Sequence, residues 1–152
     1  MAKAYYELDS ILHECKDLPY GRCISPPIYR LLCNPCYLLI AYSSLKFRSA
    51  SGVDDVPVGN VTLANINSIA RRLVSHQYSP MPTKKVFIRK NNGKMRPLGI
   101  SSTQDKIVQQ AIILIFNPLF EPTFLDSSHG FRPKRGCHSA LKTIYYLSLI
   151  HI

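Results

Sequence analysis

At 152 residues, 46% of them apolar, the chain is long enough for one domain with a real core and is not composed like a disordered segment. Nineteen Lys and Arg against nine Asp and Glu leave a formal charge of +10, which points to an acidic partner: nucleic acid first, an anionic membrane surface second. An unbroken apolar run such as residues 111–116 is far too short to cross a bilayer, and residues 28–42 are interrupted by Arg30, Asn34 and Pro35, so no membrane span is expected.

Residues 2–18 read as an amphipathic helix with Leu8, Ile11, Leu12 and Cys15 on one stripe, and they form the one acidic part of the chain. Transit peptides are Arg-rich and poor in acids, so a protein with this start that lives in an organelle is expected to be made there. Residues 19–27 have the composition of a linker, which divides the chain into 1–27 and 28–152. Two short helices, 28–33 and 36–45, are expected to split at Asn34-Pro35, because a residue before proline is biased out of the helical region.

The five cysteines, Cys15, Cys23, Cys33, Cys36 and Cys137, are irregularly spaced with no secretory signal before them, and read as reduced thiols. Cys33-Asn34-Pro35-Cys36 invites a zinc or a redox reading, and His13, Cys15 and Cys23 could complete a set of zinc ligands. Without a second well-spaced pair, the expectation is small buried side chains and no metal site. Asp54-Asp55 is the single adjacent carboxylate pair. Two-metal chemistry uses such pairs, but a turn flanked by Gly and Pro favours Asp for bonding nearby backbone amides, which is the reading preferred here.

Residues 62–74 predict a helix capped by Thr62, with Leu63, Ile66, Ile69, Ala70 and Leu73 as its apolar stripe and Arg71 and Arg72 suited to its last turn. An extended connector through Pro80 and Pro82 leads into a hairpin. Val86 and Ile88 alternate before Asn91-Asn92-Gly93, and Leu98 and Ile100 alternate after it, which predicts one buried face and a positive face opposite. Lys84, Lys85, Arg89, Lys90, Lys94 and Arg96 lie here without a carboxylate, within a stretch, residues 56–104, that holds eight Lys or Arg and no Asp or Glu. They are candidates for holding polyphosphate or nucleic acid, set against solubilising charges on an edge strand. A two-residue Asn92-Gly93 turn would set Arg89 opposite Arg96. A three-residue loop would put Lys90 on the face of Arg96.

Ser102 to Asp105 predicts a capping box opening a helix that ends at Asn117-Pro118, with Asp105 a helix-start acid rather than a catalytic one. Ile107, Val108, Ala111, Ile112, Leu114 and Ile115 predict burial nearly all round that helix, or docking on something else. Residues 127–136 form a polar loop with the nucleic-acid candidates Arg132, Lys134 and Arg135, before a last helix over 137–149. His138 is read as a helix-start hydrogen bonder rather than an acid or base.

Ile88-Arg89-Lys90, Asn92 to Ile100 and Asp105-Lys106-Ile107-Val108-Gln109 together resemble the first fingers segment of reverse transcriptases encoded by group II introns. Glu121-Pro122-Thr123-Phe124, Ser128-His129-Gly130-Phe131-Arg132-Pro133 and Cys137 to Ile144 resemble the family's next block, in order and at matching spacing. Asn34-Pro35, Ala41-Tyr42 and Gly52-Val53-Asp54 add weaker similarity. Arg89 stands where the family often has Pro, and Ser101-Ser102 where it usually has Pro-Thr.

The resemblance implies that Lys90 and Arg96 grip the triphosphate of an incoming nucleotide and that the loop around Arg132 lies along the template. It also implies that the family's palm aspartates fall beyond residue 152, so no catalytic residue is assigned, no cofactor is expected on this chain alone, and Mg2+ is expected only for a complete enzyme. The fold expected is α+β: N-terminal helices, a basic hairpin and following helices, as in the fingers of a reverse transcriptase. The function expected is a fragment of an RNA-directed DNA polymerase/maturase that binds RNA, completed by a separately encoded palm and thumb if at all. A stand-alone splicing factor and an inactive remnant are the alternatives. A mitochondrial, organelle-encoded setting is expected, with a chloroplast or a bacterial cytoplasm as alternatives.

Overall fold

The computed structural model describes residues 25–150, so the helix expected over residues 2–18 and most of the linker lie outside the described residues. The linker's last residues are already helical: α1 (Ser25–Leu32) opens on Ser25-Pro26-Pro27, where proline is tolerated because first-turn N–H groups have no intrahelical partner. The break at Asn34 is as expected. Asn34 adopts an extended backbone and its side chain accepts the Cys36 N–H at 2.9 Å, capping α2 (Pro35–Ser43). Cys33 is half-buried and Cys36 exposed, so the junction does not bury both thiols.

α3 (Leu63–Val74) starts at a reciprocal capping box in which Asn65 takes the place of the usual Glu or Gln: the Asn65 N–H donates to Thr62 Oγ1 and the Thr62 N–H to Asn65 Oδ1. Ile66, Ile69, Ala70 and Leu73 are buried, whereas Leu63 is 65% exposed, a turn short of the packed part of the stripe. The helix closes through His76, which takes a left-handed backbone (φ +55°) so that its N–H and that of Gln77 reach Leu73 O and Arg72 O. Stacking of the His76 ring on Tyr29, 5.1 Å between centroids, compensates a conformation more often given to glycine.

The hairpin strands β1 (Lys84–Arg89) and β2 (Met95–Ile100) form a two-stranded antiparallel sheet. With the helices it makes an α+β fold. α4 (Thr103–Phe120) continues through Asn117-Pro118, past its expected end; in the last turn, proline's missing N–H forfeits one hydrogen bond only. Its burial is a single stripe, Ile107, Val108, Ala111 and Ile115, while Ile113 and Phe116 are 46% and 41% exposed, so the helix is not covered all round. Leu38, Ala41, Ile69, Ile107 and Ala111 are fully enclosed, and no hairpin residue joins this core. Single turns of 3-10 helix, Val58–Asn60 and Glu121–Thr123, and α5 (Cys137–Ile150) complete the described elements. The chain forms two compact units, residues up to 116 and residues from 117.

Candidate nucleic-acid interface

Lys90 N–H donates to Lys94 O at 2.8 Å and Gly93 N–H to Lys90 O at 2.9 Å, closing a three-residue loop, Asn91-Asn92-Gly93. Gly93 supplies the positive φ (+77°) that this loop requires at its last position. The strand register follows, with Val86 opposite Leu98, Phe87 opposite Pro97 and Ile88 opposite Arg96. Because side chains alternate, Lys90, Lys94 and Arg96 lie on one face together with Val86, Ile88 and Leu98.

Two expectations change here. The apolar positions do not form a buried face: Ile88 is 39% and Leu98 40% exposed, and only Val86 and Ile100 are half-buried. The cations are not gathered on the opposite side either. Four of them, Lys84, Lys90, Lys94 and Arg96, share the Val86 and Ile88 face, and Lys85 and Arg89 lie on the other, beside Phe87 and Met95. A two-stranded ribbon standing off the core exposes both of its faces, and alternation then distributes charge by residue parity alone.

Lys84 is also not free of carboxylates, since its Nζ pairs with Asp55 Oδ1 at 2.7 Å. The other five hairpin cations have no ion-pair partner among the described residues. Like charges this close are held apart at a cost that a bound anion would relieve.

The mount of the hairpin is polar and buried. Ser102 caps the helix start as expected, accepting the Asp105 N–H on Oγ at 3.1 Å, while the return bond of a capping box is replaced by a side-chain pair, Ser102 Oγ donating to Asp105 Oδ2 at 2.7 Å. The Asp105 carboxylate, 5% exposed, further accepts from the Tyr78 hydroxyl and from the Met81 N–H at 3.0 Å. Arg72 lies 5.4 Å from the Tyr78 ring centroid and bonds Gln104. Asp54 accepts the Thr103 N–H at 2.8 Å. Both residues of the acidic pair therefore act as turn and tether groups, one on the helix start and one on Lys84, and the connector before β1 and the residues after β2 are tied to the same helix end.

In the second unit, Arg132 turns inward, its side chain only 7% exposed. It donates from Nε and Nη2 to Glu121 Oε1 (3.0 and 2.8 Å) and from Nη1 to Leu125 O and Ser128 O (2.8 and 3.0 Å), with the Phe124 ring 5.3 Å away. Its guanidinium is committed to the Glu121 carboxylate and to two nearby backbone carbonyls rather than offered to a strand outside. Arg135 donates to Asp126 O and Oδ1, and this hydrogen bond and charge hold the Asp126 carboxyl below the usual carboxylate range. Lys134 is exposed. The helix-start role expected of His138 belongs to Ser139, whose Oγ accepts the Gly136 N–H and meets His129 Nδ1 at 2.9 Å. Phe131 is fully exposed on a left-handed backbone (φ +58°), rare for a bulky residue, and composition offers no signal for it. Arg132→Lys is expected to lower the stability of this unit by about 2 kcal/mol, because an ammonium cannot reproduce the planar fork. Chemical denaturation followed by circular dichroism measures it.

Among the described residues no group of three His, Cys, Asp or Glu is placed to hold a metal ion, and no helix is long and apolar enough to cross a membrane. No protein-family model matches the chain. It is 41% identical over 121 residues, 77% of its length, to the group II intron-encoded protein LtrA of Lactococcus lactis. The chain is a homologue of group II intron-encoded proteins. It is also 34% identical over 143 residues to an uncharacterized 91 kDa protein in the cob intron of Schizosaccharomyces pombe, a match covering 91% of the chain. Nuclear intron maturase 1, mitochondrial, of Arabidopsis thaliana matches 45% of the chain at 34% identity. This intron-protein homologue spans 20%, 18% and 11% of those three relatives, so it corresponds to a fragment of their length.

Proposed function

We propose that the chain is the fingers portion of a group II intron-encoded reverse transcriptase/maturase, and that the hairpin face carrying Lys90, Lys94 and Arg96 holds the phosphates of RNA or of an incoming nucleotide. The observation that carries this reading is the register, which sets Lys90 and Arg96 on one face with no carboxylate paired to either. Lys90 would act as a mobile point charge and Arg96 as a flat two-pronged donor, a combination that suits a triphosphate.

A fragment is favoured over a self-sufficient splicing factor by α5, where Leu141, Ile144, Tyr145, Leu147 and Leu149 are all more than half exposed, an apolar surface of the kind that larger proteins cover. DNA synthesis would belong to a longer protein or to a second polypeptide bringing the carboxylates that hold two Mg2+ ions. One relative named as mitochondrial and another from a cob intron favour a mitochondrial setting, with the Lactococcus relative making a bacterial one the alternative.

Fluorescence anisotropy with a labelled oligo(U) 12-mer and equilibrium binding of dTTP test the proposal. Single-strand affinity is expected to fall with salt at a log-log slope of about −3.5, as for roughly five neutralised phosphates. Lys90→Ala and Arg96→Ala should each weaken dTTP binding about ten- to a hundredfold, and Arg96→Lys should not restore it. Salt-insensitive RNA binding, or dTTP affinity unmoved by both alanine variants, would overturn the reading.

A further inference from the structure

We infer that the opposite face of the hairpin, centred on Phe87, is a stacking platform for single-stranded RNA, separate from the face that grips phosphates. The inference rests on the nucleic-acid reading above and adds a second, differently built surface to it. Along β1 this face presents Lys85, Phe87 and Arg89 in a row, and across it β2 presents Met95, Pro97 and Gly99.

Phe87 is 55% exposed. Its neighbours on β2 are Pro97, directly opposite, and Gly99, which has no side chain. The Thr83 side chain lies 3.3 Å from where a Cβ of Gly99 would be, and the Phe87 ring itself stays more than half exposed, so a flat ligand can reach it. The Lys85 Nζ lies 5.2 Å from the ring centroid, and neither Lys85 nor Arg89 has a carboxylate partner among the described residues.

Those features together select the occupant. An aromatic ring with an unpaired cation on either side along an extended strand matches one base between two phosphates, since every base has a π-face and stacking tolerates any sequence. A duplex keeps its base faces stacked on each other and cannot offer one to Phe87, so the strand must be single. An apolar protein partner would leave Lys85 and Arg89 without counter-charges at its rim, which makes it the poorer fit.

The chain contains no tryptophan, so Phe87→Trp creates a single fluorescent reporter at the platform. Saturation with oligo(U) 12-mer is expected to quench the emission of that indole by about half or more, with affinity close to wild type. Phe87→Ala should weaken oligo(U) binding about 5- to 150-fold, the range of one lost base stack, while leaving dTTP binding unchanged. Lys90→Ala should lower dTTP affinity, and RNA at saturation should still quench the indole when the two substitutions are combined.

An indole left unquenched at saturation in Phe87→Trp, or Phe87→Ala binding oligo(U) like wild type, overturns the platform alone. A blue shift of the indole emission that grows with protein concentration, or with phosphatidylserine vesicles, in the absence of RNA would assign the face to self-association or to a membrane and overturn it too. If wild type fails to bind oligo(U) at all, the broader nucleic-acid reading falls with it.

Discussion

Asp105→Ala is expected to destabilise the first unit by about 3–5 kcal/mol in urea denaturation, the cost of removing one side of a buried charged network. Three donors converge on this carboxylate, the Tyr78 hydroxyl, the Met81 N–H and the Ser102 hydroxyl, and Ser102 is wholly buried. The Ser102 hydroxyl has no water to turn to once the acceptor is gone, whereas Tyr78 is only half-buried and Met81 is exposed. Asp105→Asn should recover only part of the loss. Both carboxylate oxygens accept, Oδ1 from Tyr78 and Oδ2 from Met81 and Ser102; an amide keeps its oxygen toward Met81 and Ser102 only by turning its NH2 to Tyr78, whose hydroxyl must then accept instead of donate, and the charge is lost.

The same network makes stability depend on pH at the alkaline end. Burial, and then the hydrogen bond and charge of Asp105, push the Tyr78 hydroxyl well above its ordinary value of 10.0, with Arg72 opposing in part. A group whose pKa is raised on folding contributes fully below its unfolded value and loses that contribution as pH climbs toward the folded one. Stability should therefore decline above about pH 10, and Tyr78→Phe should flatten that part of the profile while lowering the plateau. A profile of Tyr78→Phe as steep as wild type would show that another group sets the slope.

Gly52→Ala is the second large effect expected, about 3 kcal/mol in the same assay. A Cβ at Gly52 would meet Ser101 O at 2.5 Å, Ser102 Cα at 2.6 Å and Ser101 C at 2.7 Å. Every one of those is backbone and cannot swing aside as a side chain would. The displaced turn is the one that delivers Asp54 to the Thr103 N–H and Asp55 to Lys84, so the substitution should also loosen the mount of β2. Gly93→Ala is the control. Nothing lies within 4 Å of its Cβ, and its cost is only the positive φ, about 1 kcal/mol. Near-equal losses from the two variants would show that crowding at Gly52 is relieved by movement.

Hydrogen bonds that close within one turn are readable in the one-dimensional chain. Asn34, Thr62 and Ser102 each start a helix as their side-chain chemistry requires, because donor and acceptor sit two or three residues apart. The hairpin's place and its Gly-containing loop are of the same kind. Residue order narrows its register to two possibilities, and the closed Lys90–Lys94 pair with Gly93 at positive φ selects the three-residue loop.

Partners far apart in sequence are not readable in that way. Lys84 finds Asp55 across 29 residues and Tyr78 finds Asp105 across 27, while Arg132 finds Glu121 across 11. The Ile88 and Leu98 stripe is legible as alternation, but its exposure depends on what packs against the ribbon, and alternation carries no information about that. The chain alone determined the helix starts at Asn34, Thr62 and Ser102, its basic ribbon and its kinship with intron-encoded proteins, since local bonding and residue order are written residue by residue. Which cations stay unpaired, and which face each occupies, was decided only when distant segments came together, because burial and ion pairing are properties of neighbours in space.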